Sequence, residues 1–456
     1  MKMTDSILHL LSQYDKPIPR YTSYPTVPYW EPETINAERW KKAVSGTFEK
    51  ENGELCLYIH LPFCENLCTF CACNKRITKN HRVEEKYIAT VLREWQIYRD
   101  LMITKPVIRE IHLGGGTPTF FSPANLSLLI AGITKDCSIP SEHEFSVEAH
   151  PNYTTEAHLR ALHQGGFKRI SLGVQDFDPE VQYIINRIQS FEKTKEVTDW
   201  ARQLGYDSVN IDLVYGLPKQ TVAHVEYTMG QIKKLMPDRI AFYSYAHVPW
   251  KSKGQRRYTE ADLPAAASKW EMYHRGRELL IGEGFAAIGM DHFALPNDKL
   301  WQSASAGTMH RNFMGYTTTR NKLIIGLGAS SISDSWNAFV QNEKDVEVYE
   351  NKVEKGELPI ITGHLLNEED LMLRKNILEL MCSNKTTLNK QSIDQQFIHS
   401  IAESMKLMEN DGLVNLNEET ITVTNKGTTF IRNICSALDA RLWRKGNSNN
   451  IFSKAI

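Results

Sequence analysis

Long apolar runs are missing from this chain of 456 residues. None approaches the roughly 18 consecutive apolar residues that a membrane-spanning helix needs, so no membrane span is expected. The opening stretch, Met1-Lys-Met-Thr-Asp-Ser-Ile-Leu-His-Leu-Leu, has neither the longer apolar core nor the small-residue cleavage site of a secretory leader. A cytoplasmic location is expected. Charge imbalance is missing too. The formal net charge is −1, so no global electrostatic footprint for nucleic acid or an acidic membrane is present. Repeats and low-complexity segments are absent. What remains is an ordinary globular balance, 41% hydrophobic and 23% charged, with length for one large domain plus smaller appendages.

Cysteine is sparse except in one place. Of eight in all, Cys56, Cys137, Cys382 and Cys435 are scattered in apolar or mixed contexts and read as ordinary thiols. The other four, Cys64, Cys68, Cys71 and Cys73, stand within ten residues. In a large cytosolic chain such clustering points to metal rather than disulfides. The first three have the spacing C-x3-C-x2-C. A fully ligated [4Fe–4S] cluster takes four protein ligands, so three thiolates leave one iron open. A small molecule bound there can receive an electron. Structural zinc, closed by Cys73 or His60, is the rival reading, and chance grouping is another. A single loop with C-x3-C-x2-C differs from the paired C-x2-C hairpins of zinc modules, which favours the cluster.

From about residue 54 short apolar runs alternate with helical periodicity. Strands are predicted at Leu55–His60, Ile108–Leu113, Phe145–Glu148, Arg169–Gly173, Val209–Val214 and Arg239–Tyr245. Helices are predicted from Val83 to Tyr98 and near 122–134, 155–164, 190–204 and 221–235. This alternation implies parallel βαβ units, and about six of them make a partial or full barrel. In such folds the C-terminal strand ends carry the chemistry. The cysteine loop, Gly114–Thr119, Glu148, Gln175, Asp212 and Ala246 all fall at or just after predicted strand ends.

Residues 1–50 show little regular pattern and are rich in proline and aromatics, which predicts an extended arm. Residues 340–363 are strongly charged and read as a connection. The tail from 366 to 456 has helical patterns at 367–382 and 390–410, a hairpin at Leu413–Leu416 and Ile421–Thr424, and a helix from about 427. That order is winged-helix-like. No concentrated basic stripe accompanies it, so packing or lid duty is expected rather than DNA binding. The predicted division is an arm (1–50), a catalytic domain with its extension (51–365) and a mainly helical C-terminal domain (366–456).

Phe70 before the last ligand of Cys64-x3-Cys68-x2-Cys71 resembles the radical S-adenosylmethionine signature. Further runs are more specific: Pro19-Arg-Tyr-Thr-Ser-Tyr-Pro-Thr26, Cys71-Ala-Cys73-Asn-Lys, Gly114-Gly-Gly-Thr-Pro-Thr119 and Gly166-Phe-Lys-Arg-Ile-Ser-Leu-Gly-Val-Gln175-Asp-Phe. Asp212-Leu-Val-Tyr-Gly-Leu-Pro218, Gly289-Met-Asp-His-Phe293 and His310-Arg-Asn-Phe-Met-Gly-Tyr316 add to them. Together they resemble the oxygen-independent coproporphyrinogen III oxidase family from about residue 17 to beyond 430. Departures stand at Ala72, at Ala149-His150 before Pro151, and at Thr319-Arg-Asn-Lys322.

The resemblance implies an α/β fold, a partial (β/α)6 radical-SAM barrel with an N-terminal arm and a smaller C-terminal domain. It implies a [4Fe–4S] cluster on Cys64, Cys68 and Cys71, and two molecules of S-adenosylmethionine. By position Tyr58, Gly115, Glu148 and Ile332 would serve the molecule on the cluster. Phe70, Gly116, Thr117, Gln175, Arg187, Asp212 and Ala246 would serve the second. Cys73 is implied to be needed for activity, and a proton or hydrogen relay is the expectation. The implied reaction converts coproporphyrinogen III to protoporphyrinogen IX in haem biosynthesis, by a 5′-deoxyadenosyl radical in a water-excluding site. An unidentified electron donor and acceptor, no nucleic acid and a monomer are expected.

Two other readings belong to neighbouring classes. A haem chaperone of the same superfamily typically lacks the Pro-Arg-Tyr-Thr-Ser-Tyr-Pro arm and has phenylalanine at the place of Cys73; this chain has both arm and cysteine. A radical enzyme acting on haem would share the cluster. A substrate with four carboxylates needs cationic anchors, and Arg20, Lys75, Arg76, His292, His310 and Arg311 are the polar or basic candidates in the matched motifs.

Overall fold

The computed structural model describes residues 5–389, 391, 393–446 and 451–455. Six parallel strands carry the predicted alternation: β1 (Glu54–Leu61), β2 (Val107–Gly115), β3 (Glu144–Ala149), β4 (Phe167–Gln175), β5 (Ser208–Tyr215) and β6 (Arg239–Ser244). Helices Val83–Arg99, Pro123–Thr134, Glu156–Gln164, Phe191–Leu204 and Val222–Leu235 return the chain between them. Four of the five begin at a capping side chain, and the helix Val83–Arg99, preceded by Arg82, does not. Ser122, Thr155, Ser190 and Thr221 accept from backbone N–H groups of the first turn, satisfying donors that lack a partner within the helix. The fold is a partial (β/α)6 barrel.

The barrel strands continue into a twelve-stranded sheet. β7 (Ala286–Ile288) and β8 (His292–Ala294) extend it antiparallel beyond β6. At the other edge β9 (Ile324–Leu327) pairs parallel with β1, and β10 (Ile332–Asp334), β11 (Ala338–Asn342) and β12 (Ile360–Leu365) follow antiparallel. The charged stretch 340–363 is therefore not a mere connection. It holds the end of β11, a helix Val346–Glu354 and the start of β12. Every residue of β11 is buried, and the charges lie on the helix and in the turns that flank it.

The arm is likewise more regular than expected. Asp5–Tyr14 and Ala37–Lys50 are helices. The second buries Trp40, Val44 and Phe48 in the barrel's core, and Asn36 caps it by accepting from the Arg39 N–H. Ile7, Leu10, Leu11 and Tyr14 of the first pack into a separate apolar core with the tail. The tail runs helix Glu368–Ser383, helix Gln395–Asn410, strands Val414–Asn417 and Thr420–Val423, then helices Ile431–Ser436 and Ala440–Lys445. A short strand, Lys385–Thr387, completes a three-stranded sheet, as in a winged helix. Residues 390 and 392, at the start of the predicted 390–410 helix, lie outside the described residues. No helix among the described residues is long and apolar enough to cross a membrane.

Candidate active site

A cavity of about 390 Å³ opens at the C-terminal ends of the barrel strands. The cysteine loop forms one wall. It is fastened by backbone contacts on both sides: Arg76 N–H donates to the Pro62 carbonyl, Thr78 N–H to that of Cys64, and Thr69 N–H to that of Ile185. Asn186 Nδ2 donates to the Leu67 carbonyl at 2.7 Å. Gln255, buried at 1% exposure, uses one amide nitrogen for the carbonyls of Phe70, at 2.6 Å, and Ala246, at 3.1 Å. The loop is thus held to the end of β6.

The glycines of Gly114-Gly-Gly-Thr do their work against the chain itself. A Cβ on Gly116 would stand 2.6 Å from the Pro62 backbone, and one on Gly115, whose φ is +117°, would stand 2.8 Å from the His60 ring. Only glycine tolerates both the approach and the dihedral. The shelf therefore lies directly beneath the cysteine loop, with Thr117 N–H donating to the Phe63 carbonyl. The sequence points to close approach, and the structure names the neighbour as the loop rather than a ligand alone.

Each cysteine of the triad meets a different neighbour. Cys64 Sγ is 3.4 Å from Thr117 Oγ1, Cys68 Sγ accepts from Arg187 Nη1 at 3.4 Å, and the Cys71 thiolate is favoured, to about 6, by a hydrogen bond from Cys73, against its burial, and by the Lys75 charge. Burial pushes the Cys64 thiol up to about 11. Among the described residues, no three metal-binding side chains converge on one ion-sized point. Three thiols fronting one cavity while spread over separate neighbours suit a multi-iron cluster, one thiolate per iron, better than a single tetrahedral ion. Cys73 opens onto the same cavity, and its thiol is held well above its ordinary range, chiefly by its bond to Cys71.

Acidic groups face the cysteines. Glu148 Oε1 lies 3.2 Å from His112 Nε2, and Oε2 accepts from the Gly115 N–H at 3.3 Å. Burial acts to raise its pKa, but the His112 contact, the Gly115 N–H and the nearby His60 outweigh it, and the carboxyl sits below its ordinary value. Asp212 accepts from Ser171 Oγ and Asn210 Nδ2, both at 2.8 Å. Burial, with Glu148 close by, lifts it to about 6. Asp212 lies inside β5, not at its end. It still fronts the cavity because Tyr215 is the last residue of that strand and the alternation places 212 and 214 toward the opening.

Gln175 ends β4 at φ +72°, a conformation costly for a residue with a side chain. A bulge between Gly173 and Gln175 creates it. Gly173 leaves room: a Cβ there would meet Gln175 Nε2 at 2.8 Å and Arg187 Nη2 at 2.9 Å. Arg187 also donates to the Gly173 carbonyl. Its buried Nε has no hydrogen-bond partner among the described residues. An orphaned guanidinium N–H in a cavity wall fits an anionic or polar ligand.

Every residue expected at the site lines this cavity except two. Tyr58 lies behind the wall, its hydroxyl 3.0 Å from His60 Nδ1 and its ring stacked on His112. Ile332 stands on β10, which adjoins β9, where Gly326 pairs with Tyr58. It packs with Trp30, Phe339 and Leu366. Of the expected anchors only Arg20 and Lys75 reach the cavity. Arg76 pairs with Glu347 at the surface. His292 is bonded to Asp291, His310 lies near Trp336, and Arg311 is buried over the Tyr316 ring. Sequence reasoning missed Tyr243, His150 and Gln255 in the walls; none belongs to a motif with readable chemistry.

The radical SAM superfamily model matches residues 58–232, the span of the first five barrel strands. The oxygen-independent coproporphyrinogen III oxidase of Pseudomonas aeruginosa is 37% identical over 440 residues, covering 95% of each chain. That of Escherichia coli is 36% identical over 462 residues, covering both chains in full. The solved structure of the Escherichia coli coproporphyrinogen III oxidase, described as a radical SAM enzyme, superposes with a TM-score of 0.85 at 34% identity, over 93% of this chain and all of that one. The signature loop, the barrel and the full-length likeness agree: this chain belongs to the oxygen-independent coproporphyrinogen III oxidase family of radical SAM enzymes.

Proposed function

We propose that this enzyme decarboxylates two propionates of coproporphyrinogen III to vinyl groups without oxygen, giving protoporphyrinogen IX. The observation that carries this is the convergence of Cys64, Cys68, Cys71, the glycine shelf, Glu148 and Asp212 on one cavity at the barrel mouth, in a chain alike from end to end to oxidases of that name. Cys64, Cys68 and Cys71 would hold a [4Fe–4S] cluster, with three protein thiolates for four irons, to which S-adenosylmethionine would bind. Bound there, S-adenosylmethionine would supply the radical chemistry that abstracts a β-hydrogen from a propionate.

The chain's own groups position and shield. Gly115 and Glu148 would serve the S-adenosylmethionine on the cluster from the cavity wall, with Tyr58 and Ile332 supporting from behind it; the ionised Glu148 would accept from its ammonium group. Phe70, Gly116, Thr117, Gln175, Arg187, Asp212 and Ala246 serve a second molecule, with Asp212 accepting from ribose hydroxyls. The arm, through Arg20, closes the mouth against water. Cys73 relays a proton or hydrogen beside the cluster. Each propionate loses a hydrogen atom, CO2 and one electron, and the electron leaves to an external acceptor. An external donor would supply the reducing electron.

Anaerobic turnover with reconstituted cluster, reductant and S-adenosylmethionine tests the proposal, with coproporphyrinogen III and haem compared. Vinyl product and CO2 from the porphyrinogen are expected. Their absence, with cluster and cofactor cleavage intact, would overturn it.

A further inference from the structure

The side chain of Glu148 is 45% exposed and opens onto the cavity. His112, whose Nε2 lies 3.2 Å from Glu148 Oε1, is only 16% exposed and stands behind the wall. His112 on β2 and Ser146 on β3 are opposite one another in register. Glu148 follows Ser146 by two residues, so both point into the barrel from the same face of β3.

An ionised carboxylate only accepts, so His112 Nε2 is the donor in this bond. The other ring nitrogen, Nδ1, lies 2.8 Å from Ser146 Oγ, and in the neutral ring it accepts from that hydroxyl. The ring plane is held as well. Tyr58 stacks on it, with centroids 5.9 Å apart and planes 16° from parallel, and the Tyr58 hydroxyl is itself 3.0 Å from His60 Nδ1. Gly114 keeps the space clear, since a Cβ there would stand 3.1 Å from both Glu148 Oε1 and Tyr58 Cε2. The second carboxylate oxygen accepts from the Gly115 N–H at 3.3 Å. An ionised carboxylate has about four acceptor sites, so others remain for the cavity side. Burial works against the charge on Glu148, and the bond from His112 is the foremost contact opposing it. Without that donor the carboxyl would hold its charge less firmly, and its last torsion, broad and roughly two-fold, would be freer.

We propose that His112 is a positioning residue: oriented by Ser146 and Tyr58, it fixes the Glu148 carboxylate in one orientation for the ammonium group of the S-adenosylmethionine on the cluster. This rests on reading Glu148 as the acceptor of that ammonium. It also gives Tyr58 a task that it can perform from behind the wall, which is to hold the His112 ring.

The test is equilibrium dialysis of S-adenosylmethionine into the reconstituted enzyme without reductant. Glu148→Gln first identifies the bound molecule that depends on the carboxylate. His112→Asn keeps a polar group toward Ser146 but has no donor at the place of Nε2, and it should bind that same molecule at least about tenfold more weakly. His112→Gln, whose longer amide can still donate to Glu148, should recover most of the loss. Ser146→Ala should weaken binding in the same direction but less. In the Glu148→Gln background His112→Asn should add little, because the two act through one contact. Wild-type binding by His112→Asn and Ser146→Ala, with Glu148→Gln weakened, would overturn the role of His112. So would equal losses in His112→Asn and His112→Gln at normal iron content, since packing and not the donor would then matter. Wild-type binding by Glu148→Gln would instead overturn the reading of Glu148.

Discussion

The guanidinium of Arg187 lies 3.4 Å from the sulfur of Cys68 and also holds the carbonyl of Gly173. One side chain therefore joins the cysteine loop to the end of β4. A hydrogen bond to a charged partner contributes about 1.5–3 kcal/mol. Arg187→Met should keep the fold but release its cluster to a chelator about tenfold faster, followed by loss of the cluster's visible absorbance. An unchanged rate would show that Cys68 needs no such support.

Gly116 and Gly230 should respond oppositely to alanine. At Gly116 the new Cβ would stand 2.6 Å from the Pro62 backbone, which has nowhere to move. Overpacking of this kind costs about 1–3 kcal/mol, and Gly116→Ala should also lower the iron bound per chain. Gly230 lies within the helix Val222–Leu235, and nothing stands within 4 Å of a Cβ there. Gly230→Ala should stabilise by about 0.4–1 kcal/mol. Chemical denaturation of the two variants checks both signs.

Asp212 should make cofactor binding pH-dependent. Its pKa is lifted to about 6, chiefly by burial. Above that pH it is an anionic acceptor; below it the carboxyl is protonated and accepts less well. Equilibrium dialysis of S-adenosylmethionine should give two molecules per chain near pH 8 and a weakened second one below about pH 6. In Asp212→Asn the second site should be weak at all pH values, and its dependence on pH should vanish.

Cys73→Ser separates ligation from chemistry. With Cys64, Cys68 and Cys71 as the proposed cluster ligands, iron and sulfide content should stay normal while turnover of the porphyrinogen collapses. Full turnover with a normal cluster would remove Cys73 from the reaction.

Arg441 ties the tail to the arm. It donates to both oxygens of Asp370, at 3.0 and 2.7 Å, and to Glu31. Asp370 is buried at 1% exposure. Arg441→Met leaves that carboxylate with the His364 ring and the Asn367 N–H, each at 3.2 Å, so the loss should fall below the about 3–5 kcal/mol of a buried charge left with no partner. Limited proteolysis should then cut the arm faster, and the variant should unfold at lower denaturant.

The six barrel strands were legible because each is a short apolar run bounded by turn residues, and the cysteine loop because its spacing is chemistry written in sequence. The helix Ala37–Lys50 was not legible. Its buried apolar residues are Trp40, Val44 and Phe48, three positions in a polar background that follows five prolines. β11 hid for a related reason: Ala338–Asn342 is buried throughout, yet ends in glutamine and asparagine and abuts a run of charge. Asn342 belongs inside because Glu94 accepts from its amide at 2.6 Å, a partner 248 residues away.

Arg432 grips Ile18 and Pro19 across 414 and 413 positions of chain. A ribosome delivers those partners at opposite ends of its work. The cysteine loop and all six barrel strands have emerged long before the residue that clamps the arm over them. The arm therefore has its Arg432 clamp only once translation is nearly finished.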